Sequence, residues 1–185
     1  MIDDILKEAD DKMKKSVVAS GHEMATVRTG RASGAIIEHL TVNYYGAKTP
    51  LNQMASITVP EPQLLVVQPW DKTALEAVEK AIMQSDLGLS PSNDGNLIRV
   101  PFPPLTEERR KELVRHVKKL AEHGRVSVRN IRRDANDRVK HLEKEHEIAE
   151  DAGKRAHDEC QDLTDKYIVK IDALVVAKEQ EIMEV

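Results

Sequence analysis

Three stretches of the chain carry an apolar stripe at helical spacing, and none can bury that stripe alone. In residues 1–29, Ile2, Ile5 or Leu6, Ala9, Met13, Val17, Met24 and Val27 recur three and four apart, the period of one helix face. Residues 106–146 repeat the pattern with Leu113, Val117, Leu120, Val128, Ile131, Ala135 and Leu142. Residues 149–185 repeat it with Ala152, Ala156, Leu163, Tyr167, Ile171, Leu174 or Val175, and Ile182. Three one-sided helices cover one another most simply as a bundle. Asp3 and Asp4, and later Glu107 and Glu108, fall in first turns, where carboxylates complement the helix dipole. Gly30 is the expected left-handed cap of the first helix and Thr106 the expected N-cap of the second.

Residues 31–105 interrupt this period with β signals. Ile36 to Tyr45 is rich in β-branched and aromatic residues and stops at Gly46. Ile57–Val59 and Leu64–Val67 read as strands separated by a turn at Pro60-Glu61-Pro62. A short helix follows Pro69-Trp70-Asp71, with Thr73 and Glu76 at capping-box spacing and Leu75, Val78 and Ile82 as its apolar side. Asp94-Gly95 turns into a last strand, Leu97–Val100, and the proline-rich 101–105 reads as a stiff connector that neither helix nor sheet continues through. The expected fold is α+β. Residues 1–30 and 106–185 form an elongated three-helix bundle, with 31–105 inserted as a small α+β (β/α/β) domain. The chain crosses between them twice, at Gly30-Arg31 and at Leu105-Thr106, and paired connections of this kind suit a hinge. Trp70 and Tyr44 or Tyr45 read as part of the small domain's core rather than as base-stacking platforms.

The second helical stretch carries a concentrated charge. Between Arg125 and Lys140, six cations, five of them arginine, face two anions, although the whole chain has a formal charge of −4. Arg125, Arg129, Arg132, Asn136 and Lys140 share one helix face, opposite Val128, Ile131, Ala135 and Val139 or Leu142. A solvated face usually mixes its signs. A row of planar guanidiniums instead suits phosphate oxygens and base faces. An acidic chain does not bind polyanions indiscriminately, so nucleic-acid contact must come from this local patch. The competing reading is a helical interaction module that pairs with acidic proteins.

Other chemistry is poorly supported. His22-Glu23 and His146-Glu147 are followed at the required position by Thr26 and Glu150, so no HExxH motif exists. Gly30 to Gly34 lacks the Gly-Lys-Ser/Thr ending of a phosphate-binding loop. Cys160, the single cysteine, cannot form an internal disulfide, and it reads as an inert half-buried thiol. No apolar run is long enough to span a bilayer and the acidic N-terminus is unlike a signal peptide. The expectation is a cytoplasmic, monomeric protein without metal, cofactor or catalytic residues.

Several blocks resemble one family in order and spacing. They are Arg28-Thr-Gly-Arg-Ala32, Val59-Pro-Glu-Pro62, Pro69-Trp-Asp-Lys72, Ser85-Asp-Leu-Gly-Leu89, Pro104-Leu-Thr-Glu-Glu-Arg-Arg-Lys-Glu-Leu113 and Val128-Arg-Asn-Ile-Arg-Arg-Asp-Ala-Asn-Asp137. Together they resemble the bacterial ribosome recycling factor family. The resemblance implies an L-shaped molecule, a three-helix bundle hinged to a small α+β domain. It implies a non-enzymatic factor that binds large-subunit ribosomal RNA in the intersubunit space after peptide release. With elongation factor G and GTP, such a factor splits the ribosome and lets messenger and transfer RNA leave. The positions that match the family's RNA-contacting arginines are Arg129 and Arg132, with Arg133 beside them and Arg125 on the same face. Arg28 and Arg31 are further candidates, and Gly30, Arg31, Leu105 and Thr106 are the expected hinge. Two positions depart from the family pattern. Ala149 stands where a capping Ser is common, and Gly124 lies inside the second helix, permitting either a slight bend or close helix packing.

Overall fold

The computed structural model describes residues 1–184. Four α-helices and six strands follow in the order α1 (Ile2–Ala25), β1 (Thr41–Tyr44), β2 (Ala47–Pro50), β3 (Ala55–Glu61), β4 (Leu64–Pro69), α2 (Leu75–Met83), β5 (Ser92–Asn93), β6 (Ile98–Pro101), α3 (Glu107–Lys144) and α4 (Glu150–Met183). The chain divides into two compact units. One comprises Met1–Met24 with Val114–Gln180, and the other comprises Ala25–Leu113 with the chain end from Glu181. The fold class is α+β, a three-helix bundle with a small sheet unit inserted in its sequence.

In the helical unit, α1, α3 and α4 contribute Ile5, Leu6, Ala9, Ala135, Val139, Ala156 and Cys160 to one buried cluster. Of the stripes named from sequence, Met13, Val117, Val128, Tyr167 and Ile171 are also buried, and Ala121, Ser20 and Thr164, which the stripes did not include, are buried with them. Polar contacts fix the directions. Glu8 meets Arg138 at 2.6 Å and Ser16 meets Ser127 at 3.0 Å, so α1 and α3 run antiparallel. The Tyr167 hydroxyl donates to Asp10 at 2.7 Å from α4. Gly124 is where α1 and α3 approach most demandingly. A Cβ there would collide with the Ser20 hydroxyl and lie 3.3 Å from Ile171 Cδ1. Since α3 runs unbroken through this point, close packing rather than a bend accounts for the glycine.

The turn from α3 to α4 ends α3 in a Schellman arrangement. The His146 N–H donates to Glu143 O, the Glu147 N–H donates to Leu142 O, and His146 itself has φ 57°. Ala149 occupies the N-cap position before α4, where it has no side-chain oxygen to offer. Its carbonyl still accepts from the Ala152 and Gly153 N–H groups. The third helical stretch was expected to reach Val185, which lies outside the described residues.

In the smaller unit, β3-β4-β6-β5 form an antiparallel sheet and β1-β2 a separate hairpin. Leu65 and Val67 on β4, and Ile98 and Val100 on β6, alternate into the core and are fully buried. They meet Leu75, Val78 and Ile82, the apolar side predicted for α2. Several local expectations fail. Ile36 lies in a single 3₁₀ turn, not a strand. Pro60 lies inside β3 rather than in a turn. That strand is at the sheet edge, and its register shifts between Thr58 and Glu61, so the missing N–H is tolerated. The α2 approach is capped by Asp71, whose carboxylate accepts from the Thr73 N–H and hydroxyl at 2.9 and 2.7 Å, rather than by Thr73.

The sheet also continues into the proline-rich segment. Pro101 pairs with Leu64, the Phe102 N–H donates to Gln63 O at 2.7 Å, and the Phe102 ring is buried in the core. Upstream, α1 ends at Ala25, five residues before the expected cap. Gly30 does not adopt a left-handed φ, unlike Gly46, Gly88 and Gly95.

Candidate nucleic-acid interface

The basic row is carried by the middle of α3. Val128, Ala135 and Val139 are buried on one side, which turns the arginines outward. Four neighbouring guanidiniums nevertheless have different surroundings. Arg125 is the most engaged, with its side chain only 23% exposed. Its Nε and Nη2 donate to Asp172 Oδ1 at 2.9 and 2.7 Å, and its Nη1 donates to Glu122 Oε2 at 3.2 Å. These bonds hold the Arg125 pKa above its ordinary value, Asp172 having the largest effect and burial opposing it.

Arg129 makes one such bond, to Glu122 Oε1 at 2.9 Å. Arg132 donates to a neutral partner, Gln161 Oε1, at 3.0 Å, and Gln161 in turn donates to Asp165. Arg133 is exposed and has no ion-pair partner among the described residues. The row therefore grades from a neutralised, half-buried Arg125 to a free Arg133. Arg138, counted among the six cations, points elsewhere and clamps α1 through Glu8.

The row also extends further back than the sequence reading placed it. Arg115 and Lys118 precede Arg125 at helical spacing on the same face, and both are exposed. Lys118 lies 3.4 Å from Glu179, whereas Arg115 has no ion-pair partner among the described residues. The signal was present as a run of alternating three- and four-residue steps. It was hidden because Glu122 interrupts the charge sign but not the face.

The two arginines that precede the first strand of the sheet unit differ from this row. Arg28 donates to the carbonyls of Pro103 at 2.6 Å and Leu87 at 3.4 Å, and its guanidinium lies over the Phe102 ring, 5.5 Å from its centroid. Burial, and secondarily the charge of Arg109, lower its pKa from the ordinary arginine value. Its visible role is to hold the 26–33 segment to the 87 and 103 loops. Arg31 is exposed and lies 3.3 Å from Glu184.

Of the expected hinge residues, Thr106 caps α3 by accepting from the Arg109 N–H at 3.2 Å, and Leu105 is buried. Gly30 has no atom within 4 Å of where a Cβ would stand.

The aromatic residues of the smaller unit are not all core. Trp70 is 69% exposed, contrary to the sequence reading, and of the two tyrosines offered as alternatives Tyr44 packs against the core while Tyr45 is 80% exposed. Tyr44 is half-buried, and its hydroxyl donates to Asp71 at 2.6 Å. Residues 45 and 46 make the tight β1-β2 turn, with φ 49° and 80°, and the Tyr45 ring lies edge-on to Tyr44 with its hydroxyl 3.3 Å from that of Thr73. Cys160 is buried at the α3-α4 contact, where burial raises its pKa. Among the described residues no group of three or more His, Cys, Asp or Glu side chains is placed to hold a metal ion. Among those residues, too, no helix is long and apolar enough to cross a membrane.

Comparisons with known proteins agree with one another. The sequence pattern of the family described as ribosome recycling factor matches residues 21–183. A ribosome-recycling factor of Carboxydothermus hydrogenoformans is 58% identical over 185 residues, the full length of both chains. A solution structure of the ribosome recycling factor superposes with a TM-score of 0.79 at 50% identity, covering 100% of this chain and 98% of that one. The T. thermophilus factor, in models with E. coli elongation factor G bound to the E. coli post-termination complex, gives 0.69 at 52% identity over the whole of both chains. The match spans helical and sheet units alike, and on that ground the chain belongs to the ribosome recycling factor family.

Proposed function

We propose that this chain binds the post-termination ribosome and, with elongation factor G and GTP, separates it into subunits, releasing mRNA and tRNA. One observation carries the reading: the family match runs through both units, from residue 21 to residue 183. The factor is not an enzyme. It acts mechanically, with GTP hydrolysis supplied by its partner. It works as a monomer in the cytoplasm, where the ribosome is.

The α3 face is the grip on large-subunit ribosomal RNA. Arg132 and Arg133 are its leading contacts, because one has only a neutral partner and the other has none among the described residues. Arg129 joins them by exchanging a carboxylate for a phosphate. Arg125 supports the face from its bonds to Asp172 and Glu122. Arg28 contributes as an anchor of its own loop, and Arg31 as a peripheral cation. Gly30, Arg31, Leu105 and Thr106 serve as the pivots about which the inserted domain moves during splitting. A disulfide locking that movement impairs splitting more than binding, and equal activity of locked and reduced forms removes the hinge from the mechanism.

Arg132→Ala tests the grip. Phosphate contacts make affinity fall steeply with salt. The variant is expected to bind large subunits more weakly, with a shallower salt dependence and unchanged helical content. Splitting of post-termination ribosomes at the parent's rate would show that the site is misassigned.

A further inference from the structure

Glu122 is the one acid in the row that runs Arg115, Lys118, Glu122, Arg125, Arg129, Arg132, Asn136, Lys140 along α3. It is not a solvated interruption. Each of its oxygens is used: Oε1 accepts from Arg129 at 2.9 Å and Oε2 from Arg125 at 3.2 Å. The two arginines are not equivalent in this arrangement. Arg125 keeps two further bonds to Asp172 if Glu122 is withdrawn, whereas Arg129 has no other partner among the described residues. Both Arg129 and Glu122 remain open to solvent, at 36% and 51% side-chain exposure.

We infer that Glu122 is a positioning residue that holds Arg129 in reserve on the binding face and limits how tightly that face grips a nucleic-acid backbone. The inference rests on the proposed RNA-binding role of α3. An exposed ion pair of this kind shifts an equilibrium by no more than about fivefold. An incoming phosphate, matched bidentately by a guanidinium, can therefore take Arg129 from the carboxylate. Breaking the pair with Glu122 takes back part of what the phosphate contact gains, and this opposes the grip. A factor that must leave its site after each round gains from such a brake, because affinity differences are expressed chiefly in the rate of leaving. Asp172 has a different part, since it fixes Arg125 in place and leaves Glu122 to be shared. Glu122 stays ionised in this role: the hydrogen bonds from Arg129 first and Arg125 second hold its pKa below the usual carboxylate value.

The test is Glu122→Gln, measured by binding to purified large ribosomal subunits across a salt series. The amide keeps the shape and loses the charge. The expected result is binding about two- to fivefold tighter at low salt, the range of one exposed pair. The slope of log affinity against log salt should steepen by up to about one, because no freed carboxylate takes up a counterion. Dissociation slows by a similar factor. Glu122→Asp, which retains the charge, keeps the parent's slope. Adding Arg129→Ala to Glu122→Gln removes the gain.

Binding by Glu122→Gln that is no tighter, or a gain that survives Arg129→Ala, overturns the inference. A merely structural role for Glu122 would leave the salt slope where it was. The Arg132→Ala measurement keeps the two claims apart. If that variant weakens binding while Glu122→Gln changes nothing, the brake is wrong and the interface stands. If Arg129→Ala and Arg132→Ala both bind like the parent, the interface itself is wrong.

Discussion

The helical unit and the sheet unit solve the problem of burial differently. The helical unit closes along stripes whose members are modest in size, and its precision comes from small residues and polar interlocks. Gly124 lets α1 and α3 approach, Tyr167 reaches Asp10, and Arg138 meets Glu8. The sheet unit concentrates large side chains, including Phe102, Ile37, Leu51 and Leu65, in one core against the buried face of short strands. Arginine shows the same contrast. On α3 it is carried at the surface by a helix whose other side is buried. In the sheet unit Arg28 is drawn in to tie irregular backbone together through carbonyls. A long regular element can leave its cations free for a partner. A unit built from short elements needs some of them to hold itself together.

Phe102→Ala should give the largest effect. Removing a fully buried ring costs about 3–5 kcal/mol. The loss should appear in amide-exchange protection of β4, β6 and α2, with α3 and α4 keeping theirs. Equal loss of protection in both units would erase the contrast between them. Gly124→Ala strikes the helical unit by the opposite route, adding an atom where Ser20 already stands. Overpacking of this kind costs about 1–3 kcal/mol, offset by about 1 kcal/mol of helix propensity gained at position 124, and combining it with Ser20→Ala, which removes the hydroxyl and keeps α1 free of a further glycine, should restore part of the loss. A denaturant midpoint unchanged by Gly124→Ala alone would mean that the helices yield more readily than their close approach implies.

His146→Gly should instead stabilise the helical unit, by about 1 kcal/mol, because the left-handed C′ position no longer carries a Cβ. Ala149→Ser on the other side of the same turn should add about 1 kcal/mol by supplying the missing N-cap oxygen. Thermal unfolding of the two single variants and the pair would show whether this turn limits the helical unit.

The smallest effect sharpens the comparison through pH. Glu8 is held down to about 2, chiefly by hydrogen bonds from Lys12 and then Arg138. Asp94 is held down to about 2, chiefly by the Leu97 and Asn96 N–H groups and then Arg99. Both folded values lie below the ordinary 4.5 and 3.8. Each therefore contributes stability that is present above the ordinary value and lost as pH falls towards 2. Glu8→Gln should flatten the acid dependence of the helical unit alone, and Asp94→Asn that of the sheet unit alone, as followed by amide exchange between about pH 5 and pH 2. Crossed effects would show that acid acts on the chain as a whole.

The residues that were legible from sequence share a physical property: their structural signal is local and repeats. The apolar positions of α1, α3 and α4 recur over many turns, and burial follows that period from Ile5 to Ile182. The α2 side Leu75, Val78 and Ile82 was read for the same reason. The strands were less legible. Ala47–Pro50 and Ser92–Asn93 are too short, and too poor in β-branched residues, to announce themselves, and they exist because neighbouring strands offer them hydrogen bonds. Phe102 was read as connector because prolines flank it, although its backbone pairs with Gln63 and its ring fills the core. Trp70 reads as core rather than as a base-stacking platform, and where β4 leads towards α2 it is exposed instead.

The amino-acid order by itself determined that three helices must share their apolar faces, that an α+β segment lies between the first and second, and that a band of arginine occupies one side of α3. Each follows from chemistry repeated at a fixed spacing along one element. Only the tertiary structure decided which of those arginines are free. Asp172 and Gln161 lie 47 and 29 residues from their partners, on another helix, and no local pattern relates them. It likewise decided that Gly124 is an approach site and Arg28 an anchor, because both meanings depend on atoms brought near by packing and not by sequence.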